Sequence, residues 1–108
     1  MVTFIRTVGI APGRNDQMLA LARQTQRLLK SRFGVDLRLQ VPIAGGLNRI
    51  AYVMTFRDLA ELEAVTLKIT ADPDYRKLAA ASARNANPGS GYDEMWRDVD
   101  LTGPEASA

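Results

Sequence analysis

Arg6, Asn48, Tyr52 and Trp96 have the types and positions suited to handling a small polar group in an apolar setting. Arg6 alternates onto the same strand face as Phe4 and Val8, an awkward place for a charge unless it holds the carboxylate or phenolate of a ligand. The competing reading is that it snorkels to the sheet edge or pairs with an acidic residue. Tyr52 sets a phenol on an otherwise apolar face, suited to orienting a ligand oxygen, or else is a core or interface tyrosine with a satisfied hydroxyl. Asn48 can present an amide to a bound carbonyl or serve its loop as a turn residue. Trp96, the only tryptophan, can stack on an aromatic ligand or anchor an interface.

What the chain lacks narrows the chemistry further. It contains no cysteine, which removes disulfides, thiolate metal sites and cysteine nucleophiles. It contains no histidine either, which removes the Ser-His-Asp arrangement, His-ligated zinc or haem, and the commonest general base near neutral pH. Asp93 and Glu94 are adjacent, so on a strand they point to opposite faces and make no paired carboxylate site. Asp98 and Asp100 would share a face, but without further ligands nearby they read as solvent-facing charge on an edge strand. Gly9, Gly13, Gly45 and Gly46 have the wrong spacing for a phosphate loop. No metal and no cofactor is therefore expected.

The elements that must position these residues follow from patterning. Residues 2–10 read as a strand rich in β-branched and aromatic residues, ended by Ala11-Pro12-Gly13. Asn15 or Asp16 is suited to cap a helix in which Met18, Leu21, Ala22, Thr25, Leu28 and Leu29 recur at helical spacing, and Gly34 sits where a left-handed C-terminal cap belongs. Val35, Leu37, Leu39, Val41 and Ile43 alternate, predicting a half-buried strand over 35–43, which the Ala44 to Asn48 link joins in a hairpin to a strand over 49–56. A helix from about Asp58 carries Leu59, Leu62, Val65 and Ile69 on one stripe. At Asp72-Pro73 it breaks and restarts, because Asp is a good N-cap and Pro belongs at the first helical position. The restarted helix, over 73–86, places Asp72 near Arg76 and Asp74 near Lys77 at ion-pair spacing, and Tyr75 and Leu78 pack it onto the domain. A last strand is expected over 95–101 and a mobile tail over 102–108.

That order, strand, helix, strand, strand, broken helix, strand, predicts an α+β fold. It is the ferredoxin-like β-α-β-β-α-β sandwich: a four-stranded antiparallel sheet with helices on one face, occupying residues 1–101. The strand over 49–56 is apolar on both faces, with Ala51 and Val53 on one and Ile50, Tyr52, Met54 and Phe56 on the other. Helices cover only one face, so a second subunit is the economical cover for the other.

The run Gly46-Leu47-Asn48-Arg49, the strand through Tyr52 to Phe56, the helix with Leu59 and Leu62, and above all Asp72-Pro73-Asp74-Tyr75 give the chain a resemblance to a known group. It resembles the dimeric α/β-barrel superfamily, and within it most the NIPSNAP-like domains. The resemblance implies that the sheets of a homodimer face one another in a barrel-like core, each subunit enclosing a small apolar pocket between sheet and helices. Members include cofactor-independent monooxygenases, haem-degrading enzymes, small aromatic cyclases and isomerases, and many proteins of unknown role. Haem degradation there depends on a histidine axial ligand, which this chain lacks. NIPSNAP-like domains carry no dependable catalytic motif to transfer.

A composition of 46% hydrophobic and 24% charged residues is ordinary for one globular domain. The net charge of +2 arises from 14 basic and 12 acidic side chains too mixed for a nucleic-acid surface. The N-terminal stretch lacks the pattern of a secretory signal, since Arg6 interrupts its apolar residues, and nothing approaches a membrane span. The expectation is a cytoplasmic protein with no nucleic-acid or membrane partner.

Three functions remain in play. The first is a homodimer binding a compact apolar or aromatic metabolite. The second is a cofactor-independent monooxygenase or isomerase, in which the substrate anion itself reduces oxygen while Arg6 stabilises it and Tyr52 and Asn48 orient it. The third is a structural or regulatory dimer whose pocket is filled by side chains.

Overall fold

The computed structural model describes residues 1–102. Its elements are β1 (Val2–Gly9), α1 (Asn15–Phe33), β2 (Arg38–Gln40), β3 (Arg49–Phe56), α2 (Leu59–Ala71), α3 (Pro73–Arg84) and β4 (Tyr92–Arg97). The strands form one four-stranded sheet in the order β2-β3-β1-β4, every pairing antiparallel. This is the ferredoxin-like α+β arrangement, with the second helix broken where the Asp72-Pro73 signal places the break. Most of the expected C-terminal tail, 103–108, lies outside the described residues.

Local chemistry accounts for the helix ends. Gly34 adopts φ 67°, and the N–H groups of Gly34 and Val35 donate to the carbonyls of Lys30 and Leu29, both at 3.1 Å. That closes α1 with a glycine in the left-handed region, where a Cβ would be strained. At the other end of α1 the cap position is Arg14, with no side-chain hydrogen bond, rather than the expected Asn15 or Asp16 one or two residues later. Asp58 accepts from the Glu61 N–H at 2.8 Å and starts α2. Asp72 Oδ1 accepts from the N–H groups of Asp74 and Tyr75, both at 2.9 Å, and Pro73 follows as the first residue of α3. Asp72 and Asp74 do not turn to Arg76 and Lys77 as their spacing suggested. Both meet Arg32 of α1, at 2.8 and 2.9 Å, which ties the α2–α3 junction to the end of α1.

Two strands differ from expectation. The ladder of β2 covers only Arg38–Gln40 rather than 35–43. The Leu37 carbonyl, at the sheet edge, accepts from the Gln26 side chain at 2.7 Å, and Pro42 has no N–H to give a partner. Beyond it Ile43 is 99% exposed. The last strand is Tyr92–Arg97 rather than 95–101, because its register against β1 runs from Thr7↔Tyr92 to Val2↔Arg97. Past Val2 the partner ends, and the Asp98 N–H makes the closing bond, to the Met1 carbonyl at 3.0 Å.

All three helices lie on one face of the sheet. The core there is divided into a cluster of Leu29, Leu37, Met54, Phe56 and Ile69 and another of Ile10, Met18, Ala22 and Ile50. The opposite face, carrying Ile5, Ala51 and Val53, has no helix over it.

Candidate functional site

Arg6 and Tyr52 occupy one cross-strand row. Tyr52 of β3 is opposite Arg6 of β1, Arg6 is opposite Asp93 of β4, and Leu39 of β2 is opposite Tyr52 on its far side. Because side chains alternate along a strand, all four project to the helix-covered face. The row passes from an alkyl group through a phenol to an ion pair as it crosses the sheet.

Over this row lies a cavity of about 390 Å³. Its floor is Phe4, Arg6, Val8, Tyr52 and Met54 of the sheet, and one wall is Met18, Thr25 and Leu29 of α1. Its roof is Tyr75, Ala79, Ser82 and Ala83 of α3, and the turn from Asn87 to Gly91 forms a rim. The roof explains the volume. Positions 75, 79, 82 and 83 share one helical face, and after Tyr75 that face carries only Ala, Ser and Ala, so α3 spans the sheet without filling the space beneath it. The hydroxyls of Ser82 and Thr25 donate back to the carbonyls of Leu78 and Leu21 at 2.8 and 2.9 Å, which leaves the lining mainly apolar.

The polar groups are few and distinct. Arg6 Nε donates to Asp93 Oδ1 at 2.8 Å and Nη2 to Oδ2 at 2.9 Å, a bidentate pair. The guanidinium carbon also lies 5.6 Å from the centre of the Phe4 ring, within reach of a cation–π contact. Hydrogen bonding to Asp93 outweighs the opposing effect of burial and raises the Arg6 pKa above its ordinary value. The same bond holds the Asp93 carboxyl below the usual carboxylate range. About half of each side chain remains in solvent, 47% and 44%, so the pair contributes less than about 1 kcal/mol to stability.

Tyr52 differs in kind. Its hydroxyl has a thioether partner, Met18 Sδ at 3.8 Å, a weak acceptor. Burial is the main cause that pushes its pKa above the ordinary phenol value, with Arg6 opposing. Tyr52 is therefore a neutral phenol in an apolar chamber, able to donate to a ligand oxygen. Tyr75 lines the same cavity as Arg6 and Tyr52, a second phenol in the same apolar chamber.

Asn48 and Trp96 stand apart from this arrangement. Asn48 is exposed at the start of β3, where its backbone carbonyl accepts from the Ile10 N–H at 2.8 Å. Trp96 is opposite Thr3, on the helix-free face, and is 60% exposed. Tyr75 packs against the Leu29, Met54 and Phe56 core cluster as its sequence position suggested, and it also lines the cavity. The signal for it was present in the run of Ala79, Ser82 and Ala83 behind Tyr75, where a helix facing a filled core would carry large side chains. Among the described residues no three acidic side chains gather to hold a metal ion. No helix among them is long and apolar enough to cross a membrane.

No protein-family model matches the chain, and no curated protein matches it. Solved structures do. A NIPSNAP domain protein from Burkholderia xenovorans, uncharacterised, superposes with a TM-score of 0.79 at 16% identity, over 94% of this chain and 97% of its own. A NIPSNAP family protein of unknown function from Agrobacterium tumefaciens gives 0.78 at 18%, over 96% and 92%. A putative antibiotic biosynthesis monooxygenase from Nitrosomonas europaea gives 0.72 at 9%, over 93% and 100%. At these identities the likeness is one of fold: the chain has the ferredoxin-like architecture of NIPSNAP domains and of monooxygenase-like proteins.

Proposed function

We propose that this chain, with its NIPSNAP-like fold, is a homodimeric small-molecule-binding protein that holds a compact apolar or aromatic metabolite between sheet and helices. The cavity over the Tyr52–Arg6 row carries the reading. Its volume is within the range of small-ligand sites, and its apolar lining converges on a few polar groups that would orient a ligand. Dimerisation rests on the helix-free sheet face, where the half-buried Ile5 and Ala51 adjoin the exposed Trp96, an apolar surface that a second copy would cover.

A cofactor-independent oxygenation is the second reading. It is favoured by the fold shared with the Nitrosomonas europaea protein and by two phenols beside a guanidinium in an apolar chamber. In that reading Tyr52 orients a substrate oxygen and the chamber excludes water while the substrate anion reduces oxygen.

Native mass spectrometry of freshly purified protein tests the proposal. A dimer retaining small-molecule mass supports it. A monomer removes the dimer, and a dimer that neither retains nor takes up a hydrophobic probe such as 2-naphthol removes the binding role.

A further inference from the structure

We infer that Asp93 is a specificity-determining residue: by pairing with Arg6 it fits the cavity mouth for a neutral ligand that offers a hydrogen-bond-accepting oxygen, and sets it against carboxylates and phenolates. The inference rests on the binding role proposed above. Its ground is the placement of two charges. Arg6 is the one charged side chain among the residues lining the cavity, whereas Asp93 lies outside the lining and reaches Arg6 from the edge strand β4. A lone arginine in an apolar chamber would select an anion. Here both ends of the Asp93 carboxylate are already on the guanidinium, at 2.8 and 2.9 Å.

A guanidinium carries five N–H groups. Asp93 occupies one on Nε and one on Nη2, so donors remain for a ligand oxygen while the net charge of the pair is close to zero. An anion arriving at the mouth loses water, meets a cation already compensated and comes close to a second carboxylate. A carbonyl or hydroxyl loses far less water and finds the same donors. Tyr52, kept neutral by burial, adds a donor of the same kind deeper in the chamber. Replacing Arg6–Asp93 with the ligand's own carboxylate would strand Asp93 beside the bound anion, which is the repulsive element that specificity of this kind requires.

The test uses 2-naphthol, uncharged near neutral pH, and 2-naphthoate, of similar shape and anionic. Isothermal titration of each into the full-length protein is expected to show naphthol binding at least about tenfold more tightly. Asp93→Asn keeps shape and removes the charge, and it is expected to shift the ratio toward naphthoate by about tenfold or more. Asp93→Ser, which shortens the side chain at a half-exposed site, serves if the first variant does not fold. Equal or tighter naphthoate binding by the native protein overturns the inference, as does an unchanged ratio in both variants. Failure of both probes to bind the native protein overturns the binding role itself, and the inference with it.

Discussion

Replacing Ala79 with leucine asks whether the roof of the cavity spans real space. Ala79 lies on α3 between Tyr75 and Ala83, lines the void and is itself exposed toward its opening. The substitution adds three carbons, each worth about 0.8 kcal/mol when fully buried. The cavity opens at the mouth, so roughly half of that benefit is realised, or about 1 kcal/mol. Leucine is nearly as good a helix former as alanine, so α3 itself loses little. For a domain of this size the gain corresponds to a rise in Tm of about 4–8 °C. A filled interior gives the opposite sign, since forcing a larger side chain into packed space costs about 1–3 kcal/mol. Thermal unfolding followed by circular dichroism, at one fixed protein concentration because a dimer's Tm depends on it, distinguishes the two. Titration with 2-naphthol should lose its heat in the same variant. A fall in Tm would refute the open cavity, and a rise in Tm with undiminished naphthol binding would place the ligand elsewhere.

Three further outcomes are expected. Tyr52→Phe removes a hydroxyl whose partner is a thioether at 3.8 Å, so urea denaturation should report a change of less than about 1 kcal/mol, while naphthol affinity falls; a large stability loss would mean that the hydroxyl has a structural partner. Asp72 and Asp93 are both held below the usual carboxylate range, by hydrogen bonds from Arg32 and Arg6. In acid the unfolded chain then binds more protons than the native one, so stability rises with pH there. It should be complete above about pH 4, the unfolded value, and decline as pH falls through the depressed folded values. Asp72→Asn should flatten that decline in urea melts taken across acid pH, and an unaltered acid limb would remove Asp72 from it. Ile5→Glu places a charge at the centre of the helix-free sheet face, and should convert a dimer to a monomer in sedimentation velocity; a persisting dimer would assign the contact to another surface.

Much of the fold was legible because the punctuation is strong. Gly34 and Asp72-Pro73 act through a left-handed cap and a side-chain cap, both local, and local effects can be read one residue at a time. The strands were harder to bound. Alternation from Val35 to Leu39 reported correctly which side chains face the core, but the ladder to β3 forms only from Arg38 to Gln40, because the Leu37 carbonyl goes to the Gln26 side chain and Pro42 has no N–H to give. Likewise Met95 and Trp96 drew the expected last strand toward the C-terminus, whereas its limits follow from the end of β1 at Val2. The site was half visible. Arg6 and Tyr52 stood out as polar groups on apolar faces, and the register sets them side by side. Asp93 joins them through a strand pairing distant in sequence, which no local pattern reports, whereas the small residues behind Tyr75 on α3 were a local sign of the cavity. Trp96 drew attention by type alone and projects to the other face of the sheet.

The junction at Asp72 has a consequence for which changes of length the chain can absorb. One residue both closes α2, its N–H donating to the Ile69 carbonyl at 3.0 Å, and opens α3, its side chain capping Asp74 and Tyr75. No slack separates the two helices. Each residue of an α-helix turns the face by about 100°, so a single insertion between Pro73 and Tyr75 would swing Tyr75, Ala79 and Ala83 away from the sheet and bring larger or charged neighbours over the void. The loop from Ala44 to Asn48 can lengthen without disturbing the chamber; the angular phase of α3 cannot drift by even one position.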